Sequence, residues 1–176
     1  EILSYTMYPK GHPYHHSVIG SMNDLNAAKL EDVQRWFKTW YGPNNAVLVL
    51  AGDIDVETAK AKVTKYFGDI PAGPTMAQPK VDPAPRTTST RDEFTDRVPQ
   101  ARVYRAWNTA EYGQADVERL QLLSQVLGGS RASRLDKRLV HGDKIADRVS
   151  TAAWGSQLGG MFYIHADVKQ GVVPDV

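Results

Sequence analysis

The chain has 176 residues, with 21 Lys plus Arg against 20 Asp plus Glu, for a formal net charge of +1. That balance excludes the broad electrostatic attraction by which nucleic-acid and anionic-membrane binders gather their partners. The absence of cysteine excludes disulfides and thiolate metal sites, and no apolar run approaches the roughly 20 residues of a membrane span.

One or two domains suit this length, which is enough to bury about 70% of the unfolded surface. The chain opens Glu1-Ile2-Leu3-Ser4, with neither a signal peptide nor an initiator Met, and closes on Val172 to Val176. Both ends read as those of a fragment. Pro9, Gly11 and Pro13 break up the first 20 residues. Ser21 and Asp24 form a Ser-x-x-Asp capping pattern for one helical turn. Residues 28–41 read as an amphipathic helix, with Leu30, Val33, Phe37 and Trp40 at helical spacing and Gly42-Pro43 as the stop. Trp36, Tyr41, Tyr66 and Phe67 join these aromatics as expected core rather than as a ligand cage. Val47 to Ala51 is short, continuous and β-branched, so it reads as a buried strand. Asp55 is positioned to cap a helix over 56–67, closed by Gly68.

Residues 70–86 hold five of the ten prolines, and such a stretch favours stiff, extended backbone that builds little core. It reads as a linker. Strands are expected over 88–95 and 100–107, and a helix over 115–127 with Val117, Leu120, Leu123 and Val126/Leu127 inside. Gly128-Gly129 ends that helix and Ser130 caps a second one over 131–141. Strands over 145–154 and 161–169 follow, joined around Gly155 and Gly159-Gly160. Runs of helices beside runs of strands argue α+β rather than a doubly wound sheet.

Several pieces occur in a telling order: His12-Pro13-Tyr14, Ile19-Gly20, a helix ending Trp40-Tyr41, then Pro43-Asn44-Asn45-Ala46. Val49 to Gly52-Asp53, Phe67-Gly68 with Ile70-Pro71, Leu127-Gly128-Gly129 and Ser133-Arg134-Leu135 complete it. The ordered set resembles the pitrilysin/insulinase family of zinc metallopeptidases over nearly the whole chain. The resemblance implies two-layer α+β domains enclosing a chamber, in which zinc held by two His and a Glu activates water to cleave peptides. The family's His-x-x-Glu-His motif is absent from the 176 residues. Residues 1–70 then resemble the closing part of the catalytic-type domain, 71–86 the proline-rich linker, and 87–176 a second domain truncated at its C-terminus. Zinc belongs on this reading to the parent protein and not to this segment. The implied partners are a peptide substrate and the remaining domains of the parent or a homologous subunit, with no nucleic acid. The residues leave the compartment open; the bacterial periplasm or cell envelope suits relatives of this type. The chain departs from the family pattern in having two glycines where many members have three. It also begins a helix with Ala28-Lys29 where many have Ser or Thr, at a cost of about 1 kcal/mol.

Candidate chemistry is sparse. Of the five histidines, His12, His15, His16, His141 and His165, the first two are separated by Pro13 and have no Glu beside them, so a metal site is not expected there. His165 reads as a cross-strand packing residue. Glu31-Asp32 complements a helix dipole, and Asp92, Glu93 and Asp96 read as solvated. Gly128-Gly129-Ser130-Arg131 lacks the Gly-Lys-Ser/Thr ending of a phosphate loop and reads as a helix-to-helix turn. Arg131, Arg134, Lys137 and Arg138 read as a solvated basic face. The resemblance adds that Gly128, Gly129 and Arg134 face the chamber and touch substrate. It assigns no catalytic residue and no metal ligand to this segment. Two further readings stand beside it: a non-catalytic subunit or scaffold of the same fold, and a free-standing peptide- or partner-binding module.

Overall fold

The computed structural model describes residues 2–77, 79–81, 84 and 86–174, so Pro83 and Pro85 of the proline-rich stretch lie outside it. The chain is α+β and divides into two compact units, residues 19–79 and residues 1–18 with 80–176.

The α-helices of the unit spanning residues 19–79 are α2 (Met22–Ala27), α3 (Leu30–Trp40) and α4 (Val56–Phe67). The caps follow the sequence. Ser21 Oγ accepts the Asp24 N–H at 3.0 Å. Asp55 accepts the Thr58 N–H at 2.8 Å and the Thr58 hydroxyl at 2.7 Å, and those bonds, the hydroxyl's first, hold its carboxyl below the usual range. At α3 the Asp32 carboxylate takes the Lys29 N–H at 3.0 Å, but Lys29 has no acceptor to return the bond, so half of a capping box forms. Gly68 caps α4 with φ at −71°, so no left-handed turn is required of it. Val47 to Ala51 is not a strand. These residues have no ladder partner among the described residues, and Val47 and Val49 are 91% and 80% exposed. A β-branched run supplies the propensity for a strand, but the hydrogen-bonded neighbour has to come from elsewhere. The aromatics expected as core are open as well: Trp36 and Trp40 lie 5.4 Å apart and Phe37 and Tyr41 4.7 Å apart, yet all are more than 40% exposed.

The second unit contains α1 (Ile2–Met7), β1 (Arg102–Thr109), α5 (Ala115–Gly128), a π-helical segment (Asp136–Gly142), β2 (Ala146–Ser156) and β3 (Gly159–Val168). Residues 88–95, expected as a strand, have no regular structure. Among the described residues the three strands form an antiparallel sheet in the order β1-β3-β2, with β1 and β2 at its edges. Register places Tyr104, His165 and Ser150 in one row and Trp107, Phe162 and Ala153 in a row on the opposite face. α5 packs on the second face. Val117 is buried as expected, together with Ser124 and Gly128; Leu120 and Leu127 are half-buried, and Leu123 and Val126 remain 41% and 42% exposed. The Thr151 hydroxyl donates to the Ser124 carbonyl at 2.6 Å, fixing the helix against β2. The helix expected over 131–141 starts late and widens, with the Asp143 N–H bonding the Arg138 carbonyl five residues back. Lys144 follows with φ at 56°, the left-handed residue that turns the chain into β2.

Candidate functional site

A candidate recognition site lies where α5 meets β2. The C-terminal half of β2 from Val149 to Ser156 carries no charge. No strand among the described residues pairs with its outer edge, although the Ser156 carbonyl accepts the Tyr112 N–H at 2.9 Å, and a cleft of about 480 Å³ runs beside that edge. Glu118, Gln121, Leu122 and Gln125 of α5 line one wall, and Thr151, Ala152 and Ala153 of β2 the other. Small side chains keep that strand edge accessible, and Leu122 is 70% exposed above it. Row-forming backbone groups on an uncharged edge are a template for another strand.

None of the sequence-predicted residues lines this cleft. Gly128 is buried at the end of α5, where a Cβ would lie 2.8 Å from Thr151 Cγ2 and 3.0 Å from its backbone N. Close helix–strand approach therefore accounts for that glycine. Gly129 is exposed and closes the helix with φ at −82°; a Cβ there would run into the Gln125 side chain. Arg134 is exposed at the entry to the π-helical segment.

One polar network escaped sequence reasoning. On the sheet face opposite α5, Ser150 Oγ lies 3.1 Å from His165 Nδ1, and His165 Nε2 lies 3.0 Å from Asp167 Oδ1. Arg102 Nε donates to the same carboxylate oxygen at 2.7 Å, and the Tyr104 ring stacks on His165 at 4.8 Å. Burial pushes the Asp167 carboxyl up, but the hydrogen bonds from His165 and Arg102 outweigh it and hold it below the usual range. The order of groups looks like a nucleophile, base and acid. Asp167, however, is committed to an arginine as well, and the residues stand in cross-strand register. The network ties three strands together.

Among the described residues no group of three or more His, Asp or Glu is placed to hold a metal ion. The two-His, one-Glu zinc set of the resemblance has no counterpart here, and no chemical step is assigned to zinc in this segment. No helix is long and apolar enough to cross a membrane, again among the described residues.

The solved structures similar to this chain have the same fold. A peptidase M16 inactive domain from Pseudomonas fluorescens superposes with a TM-score of 0.80 at 21% identity, covering 96% of this chain and 40% of that one. A protease from Helicobacter pylori gives 0.71 at 22% identity, covering 92% and 40%. The chain thus has the α+β fold of these structures, with no metal cluster among its described residues. Residues 27–176 match the model of the peptidase M16 inactive domain, and the chain belongs to the M16 family, the pitrilysin/insulinase type. Among curated proteins it is 30% identical over 144 residues to the zinc protease PqqE of Helicobacter pylori, covering 78% of this chain. It is 23% identical over 162 residues to a probable mitochondrial-processing peptidase subunit beta of Arabidopsis thaliana, covering 91%. The chain spans 32% and 26% of the lengths of these two relatives.

Proposed function

We propose that this chain is the non-catalytic, peptide-holding portion of a zinc-dependent metalloendopeptidase that cleaves peptides in an enclosed chamber. On this reading residues 1–70 complete the catalytic-type domain, 71–86 link it onward, and 87–176 form the second domain. The observation that carries the proposal is the cleft between α5 and the uncharged outer edge of β2, with which no described strand pairs. An extended peptide fits such a cleft by adding a strand to β2, with main-chain bonds giving affinity and Leu122 offering an apolar contact. On this reading Gly128 sets the spacing of α5 on β2 beneath the cleft, and Gly129 and Arg134 meet the peptide backbone beyond the residues that line it. A second reading, a non-catalytic partner subunit of the same fold, draws support from the match to an inactive domain.

The test uses the pure chain and a fluorescent, extended, uncharged peptide followed by anisotropy. Binding is expected, and Leu122→Glu, a change at an exposed position, weakens it at least tenfold without altering the unfolding transition. Equal affinity in the variant, or no binding by the wild-type chain, would overturn the peptide-holding role. Hydrolysis of the peptide that a chelator abolishes would overturn the non-catalytic assignment.

A further inference from the structure

Residues 8–17 fold back onto the sheet of their own unit through a few directed bonds. The Tyr14 hydroxyl accepts the Leu158 N–H in the β2–β3 turn at 3.1 Å. Nearby, the Asn108 side-chain amide of β1 donates to the Met7 carbonyl at 3.0 Å. His12 is at the centre of the segment and only 8% exposed. Its ring stacks on Tyr8 at 4.6 Å and lies 5.3 Å from the Tyr14 ring. Its Nδ1 accepts the Tyr14 N–H at 3.0 Å. That bond fixes the tautomer: the ring is neutral and its proton is on Nε2. Nε2 is buried without a hydrogen-bond partner among the described residues. Adding a proton at Nδ1 would aim one N–H at another and leave a charge in a dry stack of rings.

We propose that His12 is the pin of an acid-opened clasp: protonation of its ring releases residues 8–15, and with them the Tyr14 hydroxyl, from the β2–β3 turn. Two titratable side chains meet the ring, Tyr8 and Tyr14, and neither is charged in acid; burial, and then Tyr14, move the Tyr8 phenol further up. Leu158 meets the clasp through its backbone N–H and carries no titratable group. Lys10 is exposed, and His15 is held apart, its Nδ1 donating to the Tyr8 carbonyl at 2.6 Å with the Tyr5 ring edge-on at 5.2 Å.

The sign follows from linkage. In the open form His12 is in water with an ordinary pKa of about 6.5. In the closed form burial lowers it. The clasp is therefore fully stable above about pH 6.5. As pH falls from there towards the closed-form pKa, the opening constant rises by up to about tenfold per pH unit.

Hydrogen exchange read by mass spectrometry on the whole chain tests this, after correction for the intrinsic pH dependence of exchange. Protection over 8–17 is expected to fall by up to about tenfold between about pH 6.5 and pH 5.5, while β3 keeps its protection. His12→Asn, which retains an acceptor for the Tyr14 N–H but cannot titrate, removes that dependence, whereas His15→Asn keeps it. Flat protection in the wild type, or an equal fall in His12→Asn, would overturn the clasp. Should His12→Asn fail to fold, the wild-type His12 ring resonance decides: titration below the ordinary histidine value supports the clasp, and titration at that value sinks it.

Discussion

Gly160→Ala is expected to destabilise the chain by about 3 kcal/mol, the upper end of what an added methyl in a packed region costs. Gly160 is buried in β3, in register with Thr109 on one side and Gly155 on the other. A Cβ there would sit 2.5 Å from the Thr109 hydroxyl and 2.7 Å from the carbonyl oxygens of Ala110 and Trp154. The hydroxyl can rotate away, but two backbone carbonyls on opposite sides cannot both retreat without opening the ladder. Gly128→Ala meets a softer obstacle, since its nearest neighbours are the Thr151 side-chain atoms at 2.8 and 2.9 Å. It should cost about 2 kcal/mol. Thr151→Ser, which removes the methyl and keeps the bond to Ser124, should restore part of that loss. Urea midpoints at unchanged slope measure all three. A Gly160→Ala loss under about 1 kcal/mol would mean that the sheet corner opens freely.

The contrast between these glycines explains how far the sequence could be read. That Gly128-Gly129 ends a helix was legible, because glycine at a helix end has a local cause. That Gly128 answers to Thr151, across the α5–β2 contact, was not, because the cause is a packing distance. The same division runs through the chain. α4 fell on the expected residues because Asp55, the apolar spacing and the stop at Gly68 are all local. The hairpin of β2 and β3 was legible from its alternation and its glycines, though both strands run closer to the turn than expected. Val47 to Ala51 failed as a strand because a strand is a property of a pair. The widened helix at Asp136–Gly142 failed because π-type bonding has no spacing signature that separates it from an ordinary turn. Of the candidate site, the glycine turn and Arg134 were visible as residue types, while the cleft depended on which edge of β2 no described strand pairs with. The Ser150, His165 and Asp167 network was hidden for the same reason, since register alone brings Ser150 beside His165 and Arg102 beside Asp167.

That network makes the second large prediction. The Asp167 and His165 side chains are each 15% exposed, and one carboxylate oxygen of Asp167 accepts from both His165 and Arg102. Asp167→Ala removes two charge-assisted acceptor contacts and leaves the His165 Nε2 without its partner. The expected cost is about 2 kcal/mol near pH 7, in the range for hydrogen bonds to charged groups. The pH dependence has a definite sign. Burial raises the carboxyl's pKa and the bonds from His165 and Arg102 lower it, with a net depression in the folded state. A depressed carboxylate contributes its stability above the unfolded value of about 3.9, and loses it as pH falls through the folded value. The gap between wild type and Asp167→Ala should therefore hold at neutral pH and narrow below about pH 4. Asp167→Asn, which keeps an acceptor but not the charge, should lie between the two near pH 7. Its gap to the wild type should narrow over the same acid range. Because the carboxylate is mostly hidden from solvent, added salt should shrink these differences less than at an exposed pair such as Arg119–Asp116. Thermal unfolding from about pH 3 to about pH 7 gives the curves. A gap that stays constant across that range would remove Asp167 ionisation from the account of what holds the three strands in register.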